Sequence, residues 1–183
     1  TTVARGVEDV CQAHSLHVIL CNTDEKQDKL ANYVNMLLQR QTDGFLLVPI
    51  SSENDAVVRK ILQKEVPLVV IDRRIEGVEV DTVRSASDEG TYLLTNHLLG
   101  LGHRHVAILT GAMEIYTSQQ RISGYVRALE EAHIPVDEDL IVTGNFTTQS
   151  GYEMTKTILS RSGQRPTALI AGNNFVAVGI LRR

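Results

Sequence analysis

Short uninterrupted apolar runs alternate with helical stripes along this chain, and no other feature narrows its possible folds as much. Val3, Val7, Val10 and Cys11 share one helical face, and Val18-Ile19-Leu20 then reads as a short strand. Leu30, Val34, Leu37 and Leu38 mark a second helix, with capping oxygens on offer from Asn22-Thr23-Asp24. Asp43-Gly44 turns the chain into a strand from Phe45 to Val48, and Ser51 to Asn54 can cap a third helix that faces Val57, Ile61 and Leu62 inward. Pro67 opens a strand from Leu68 to Ile71, and a further strand is expected from Val78 to Val83. Continuous apolar strands between amphipathic helices argue for a parallel sheet covered on both faces. With right-handed crossovers this is a doubly wound α/β unit.

Arg84-Ser85-Ala86-Ser87 breaks the pattern and reads as a crossing into a second lobe. The alternation then resumes: a helix with Leu94, Leu98 and Leu101, a strand from His105 to Leu109, and a helix with Ile122, Val126 and Leu129. Strand Leu140-Ile141-Val142, a helix with Thr155, Ile158 and Leu159, strand Ala168 to Ala171 and a helix after Asn174 follow. The expected architecture is two parallel-sheet lobes, residues 1–84 and 85–183, with a ligand cleft between them.

Residues 97–125, HLLGLGHRHVAILTGAMEIYTSQQRISGY, carry the sharpest functional signal. A helix ends at Gly100-Leu101-Gly102, a buried strand follows, and a polar loop leads to a helix with Arg121 expected in its first turn. Open α/β sheets bind ligands beyond the carboxyl ends of their strands, so this loop brings a fixed positive fork to a pocket.

Composition fits a globular protein with a sizeable core: 183 residues, 43% hydrophobic and 22% charged. The net charge of −4 gives no electrostatic footprint for nucleic acid. No stretch approaches the ~20 apolar residues of a membrane span, and the polar start does not resemble a signal peptide. Cys11 and Cys21 sit in apolar patterns and read as reduced core thiols, with a disulfide or redox pair as the alternative. His103 and His105 stand two apart with no Cys, Asp or Glu beside them, so they read as structural and no metal is expected. Nucleophile-elbow, zinc-protease and phosphate-loop motifs are missing, and no cofactor or enzymatic activity is expected.

LGHRHVAIL followed by RISGY resembles the effector-binding core of the lactose–galactose repressor family of bacterial transcription regulators. Further matches occur in the same order: Thr2 to Gly6, Leu20 to Thr23, Thr42 to Leu47, Val66 to Arg73 and Pro166 to Ala171. The resemblance covers essentially all 183 residues. It implies a periplasmic-binding-protein-like fold that closes over a sugar or related metabolite, in a cytoplasmic homodimer that binds operator DNA. Relatives also carry an amino-terminal helix-turn-helix, a first strand upstream and further strands downstream, so these residues are expected to be part of a longer chain. A periplasmic sugar-binding protein of a transporter shares the fold and is the first rival. An α/β enzyme acting on a sugar phosphate is the second.

The candidate ligand contacts follow from side-chain chemistry together with this resemblance. Arg121 offers five donors in a rigid fork, suited to paired hydroxyls or a carboxylate, and stands at the family's effector-binding arginine; the alternative is a solvated arginine. Asp72 ends a strand and can accept from sugar hydroxyls, and the family often uses it with its neighbour Arg73; a salt bridge to Arg73 or Arg74 is the alternative. Phe146 lies on a polar loop where the family places an aromatic that stacks on the ligand, unless it plugs the core. Asn173 can bridge hydroxyls while Asn174 caps the next helix, although the family commonly reads Asn-Asp here. Thr117 and Ser118 are weaker candidates, equally suited to capping. Ile115 stands where purine-binding relatives carry a basic residue, which argues against a purine effector. Ala86-Ser87 replaces the family's Asp-Asn at the crossing.

Overall fold

The computed structural model describes residues 2–24, 26–50, 55–73, 75, 77–161 and 163–182. Helices α1 (Thr2–Ala13) and α2 (Gln27–Gln39) lead into β1 (Phe45–Leu47), α3 (Asp55–Gln63), β2 (Leu68–Ile71) and β3 (Asp81–Val83). Then come α4 (Ser87–Gly100), β4 (Val106–Gly111), α5 (Tyr116–Glu131), β5 (Ile141–Gly144), α6 (Thr148–Ser160), β6 (Ala168–Ala171) and α7 (Asn174–Leu181). The strands form two parallel three-stranded sheets, β1-β2-β3 and β5-β4-β6. The α/β alternation read from the sequence therefore yields one sheet from each half of the chain.

The second sheet is covered on both faces. Val106 and Ile108 of β4 join Leu99, Tyr125 and Leu129 from α4 and α5. The alternate residues Ala107 and Leu109 join Met154, Ile158 and Val176 from α6 and α7. This is the period-two alternation of a strand buried from both sides. The helix pairs approach very closely at glycines. A Cβ on Gly124 would stand 2.0 Å from the Asp88 carbonyl oxygen, and one on Gly151 would stand 2.5 Å from that of Val176. Tyr125 is fully buried and donates its hydroxyl to the Val106 carbonyl at 2.8 Å. Burial pushes its pKa up to about 12, with a smaller push from Asp137.

The first sheet departs from expectation. Its core joins α2, α3, β1 and β2 through Leu30, Val34, Phe45, Val58, Ile61 and Val70, all on one face. On the other side Leu46 is 51% exposed, so this sheet is not sandwiched. The stripe of α1 forms as a helix but buries no side chain. Val18-Ile19-Leu20 forms no strand, and Leu20 is 78% exposed. A strand needs a neighbour for its backbone donors and acceptors, and among the described residues β1 pairs only with β2. Without that ladder the apolar run stays irregular, and α1 does not cover the open face of the sheet.

Smaller corrections concern ends and caps. Strand β3 is confined to Asp81–Val83, while Val78 and Val80 pack on the core as irregular chain. Strand β1 stops at Leu47, β4 runs from Val106 to Gly111, and β5 begins only at Ile141. Helix α2 is preceded by Lys26 with no side-chain cap; Asn22 instead accepts from the Asp24 amide at 3.1 Å, and Asp24 pairs with Lys29. The expected cap from Ser51 to Asn54 lies outside the described residues. Chain from β3 passes through Arg84 to Ala86 directly into α4, which packs against α5.

Candidate functional site

Just beyond the carboxyl ends of β3 and β4 the two halves touch, Arg84 against Tyr116. Asp72 follows β2 in a left-handed conformation, φ 69°, and its amide donates to the Val83 carbonyl at 2.9 Å. That backbone region is uncommon for a residue with a side chain, though aspartate tolerates it better than most. Arg73 reaches back, donating to the carbonyls of Pro49 at 3.0 Å and of Ile50. Arg84, just past β3, donates to the Tyr116 hydroxyl at the start of α5 and lies 5.8 Å from its ring centre. Beside this contact a hollow of about 270 Å³ opens among Arg84, Ser85, Asp88, Glu89, Tyr116 and Gln120.

Helix α5 begins at Tyr116, so Arg121 sits in its second turn and not its first. The loop before it is shorter than the polar sequence suggested because residues 116–120 already have helical spacing. Ile115 is the N-cap residue, its carbonyl accepting from the amides of Ser118 and Gln119. Thr117 and Ser118 are therefore buried inside the first turn and do not cap it. Arg121 donates through Nη1 to the Thr117 carbonyl at 3.2 Å, and its guanidinium lies 5.4 Å from the Phe146 ring centre. Burial works against its charge and lowers its pKa, while the Asp72 carboxylate opposes that shift. Asp72 follows β2 in the first half and Arg121 lies on α5 in the second, so the carboxylate that favours the guanidinium's charge comes from the other half of the chain.

Phe146 lies on the loop after β5, half-buried, with its ring directly over Gly111 at the end of β4. A Cβ at Gly111 would stand 2.3 Å from Phe146 Cε2. Only glycine leaves room for the ring there. Asn173 is the N-cap of α7: its Oδ1 accepts from the Val176 amide at 2.8 Å, and its Nδ2 points to the Phe146 carbonyl at 3.4 Å. The capping role expected of Asn174 thus belongs to Asn173, while Asn174 is exposed as the first helical residue. Arg121, Asp72, Phe146, Thr117 and Asn173 share one neighbourhood; Arg74 lies outside the described residues.

Two features went unmarked in the sequence reading. Gly111 is one glycine after an apolar strand, and only its contact with the ring gives it meaning. The Arg84–Tyr116 pair is 32 residues apart and leaves no local pattern. Elsewhere, His103 Nδ1 lies 2.9 Å from Thr167 Oγ1, and Cys11 and Cys21 are free thiols. Among the described residues no three potential metal ligands cluster, and no helix is long and apolar enough to cross a membrane.

Two parallel sheets that present charged and aromatic groups to each other from their carboxyl ends define a bilobal small-molecule-binding class. Residues 1–183 match the family described as periplasmic binding proteins and sugar binding domain of the LacI family, and the chain belongs to that family. It is 34% identical over 183 residues to the HTH-type transcriptional repressor PurR of Vibrio atlanticus, covering 99% of this chain and 54% of the relative. The PurR of Yersinia pestis (strain Pestoides F) is 35% identical over 181 residues, 98% of this chain and 52% of the relative. The chain thus spans about half the length of these relatives. Among solved structures, CcpA of Lactococcus lactis superposes with a TM-score of 0.86 at 26% identity, over 98% of this chain and 65% of that one. A LacI-family regulator from Enterococcus faecium, solved with bound ribose, gives 0.83 at 30% identity, over 99% and 65%.

Proposed function

We propose that this chain is the effector-binding part of a bacterial DNA-binding transcription regulator. A sugar or related metabolite seats between a first lobe, residues 1–84, and a second, residues 85–183, without undergoing chemistry. The observation that carries the reading is that Arg121, half-buried beside Phe146 and bonded to Thr117, also feels the carboxylate of Asp72 from the other half of the chain. A polyhydroxylated ligand can accept from the guanidinium and donate to the carboxylate at once, and so bridge the lobes. Phe146 offers its ring face, and Thr117 and Asn173 flank the seat. Arg73 braces the segment that carries Asp72 through its bonds to Pro49 and Ile50. Relatives named as repressors support a regulator over a transport protein.

A ligand that favours one lobe arrangement shifts the equilibrium only by its differential affinity for the two. Passed through a homodimer in the cytoplasm, a coupling of about 1–3 kcal/mol changes operator affinity roughly 5- to 150-fold. DNA contact falls to a helix-turn-helix of the kind the relatives' name states, and not to these 183 residues, whose net charge is −4. The test is a thermal-shift screen of sugars and nucleosides on wild type and Arg121→Ala. A compound that raises the wild-type melting temperature and leaves the variant unmoved supports the reading. A hit that stabilises both equally removes Arg121 from the site.

A further inference from the structure

Beneath the Phe146 ring lies a hydroxyl with no partner. Ser118 is 0% exposed, and its Oγ makes no hydrogen bond. A Cβ at Gly111 would stand 2.7 Å from that oxygen and 2.3 Å from the ring, so both converge on the same bare backbone. Leaving a buried hydroxyl unpaired costs the full desolvation of the group, and folded proteins keep few of them. Thr110 is likewise buried and unpartnered, but its Oγ1 faces Gly172, where a Cβ would stand 2.6 Å away.

Ser118 lies three residues before Arg121 on α5, so the two side chains share a helix face. Gly111 ends the central strand, where a ligand of this architecture approaches. The ring rests on Gly111 and beside Arg121, packs along the edge of the core formed with α6 and α7, and has no hydrogen bond of its own to lose.

We propose that Ser118 is the specificity-determining contact of this site: as the effector enters and the Phe146 ring lifts from Gly111, the Ser118 hydroxyl pairs with one free hydroxyl of a polyhydroxylated ring. The inference rests on reading the Asp72–Arg121 gap as the effector seat. A serine hydroxyl donates once and accepts, which matches an unmodified sugar hydroxyl and rejects a deoxy or O-methyl position there.

The test uses the intact protein as wild type, Ser118→Ala and Arg121→Ala. The probes are D-ribose, D-xylose, D-glucose and D-galactose with their monodeoxy counterparts, read by calorimetric titration. A sugar that binds wild type loses roughly 2- to 13-fold on Ser118→Ala, the size of one neutral hydrogen bond. One deoxy counterpart loses as much on wild type and is indifferent to the substitution. Without ligand, Ser118→Ala melts no lower than wild type, because it sheds an unsatisfied group. Equal affinity on Ser118→Ala with loss on Arg121→Ala overturns this inference and leaves the site standing. A ligand-free variant that melts lower makes the hydroxyl structural and also overturns it. If no probe binds wild type, the sugar reading falls and this inference with it.

Discussion

Leu46, in the middle of β1, is half exposed, whereas all six residues of β4 from Val106 to Gly111 are buried. Both strands are short apolar runs of parallel sheets, and what separates them is cover. Helices α4 and α5 close one face of the second sheet and α6 and α7 the other, each pair drawn together at glycines. In the first sheet α2 and α3 close one face, while α1 stands apart with Val3 and Val10 in solvent. Arg121, Phe146 and Ser118 are therefore mounted on the tightly packed half, and Asp72 on the half with the thinner shell.

The same substitution in the two halves separates them most strongly. Gly124→Ala drives a methyl into the backbone of α4, which cannot yield as a side chain would, and should cost about 3 kcal/mol by urea unfolding. Gly6→Ala meets no atom within 4 Å in exposed helix α1 and should gain about 0.5–1 kcal/mol instead. Equal effects would erase the contrast in packing.

Tyr125→Phe, within the tight half, should cost about 1–2 kcal/mol, since the buried Val106 carbonyl loses its donor. It also carries a pH signature. The phenol is held neutral in the folded state with its pKa raised to about 12, above its unfolded value near 10. Its stabilisation is therefore complete below pH about 10 and is lost as pH rises towards 12. Wild type should lose stability over that interval more steeply than Tyr125→Phe; parallel curves would place the hydroxyl in water. The smallest effect is expected for Leu20→Ser, within about 0.5 kcal/mol, because the side chain is 78% exposed. A loss above 2 kcal/mol would mean that the segment packs after all.

How far the sequence was legible follows the same division. Helix and strand periodicity located the alternation in both halves. The second half matched closely because β4 is flanked by elements that all lie within the chain's own alternation. Val18-Ile19-Leu20 carries an equally good strand pattern, but a pattern reports side-chain chemistry and not whether a neighbouring ladder exists. In the site, Arg121 stood out through the RISGY motif and the resemblance it carries, and Phe146 because aromatic residues are only 4% of the chain. The cap fell on Asn173 instead of Asn174 because a one-residue shift in helix start decides which amide caps. Gly111 and the Arg84–Tyr116 pair were invisible, since close approach across the fold leaves no mark on local spacing.

The central claim is that a metabolite bridges Asp72 of one sheet and Arg121 of the other. Spin labels at the exposed positions Lys60 on α3 and Lys156 on α6 report it directly, through their separation with and without a saturating sugar that binds wild type. The account predicts a narrowed, shifted distance distribution on binding, and none in Arg121→Ala at the same sugar concentration. An unchanged separation in the fully occupied wild-type protein would contradict it.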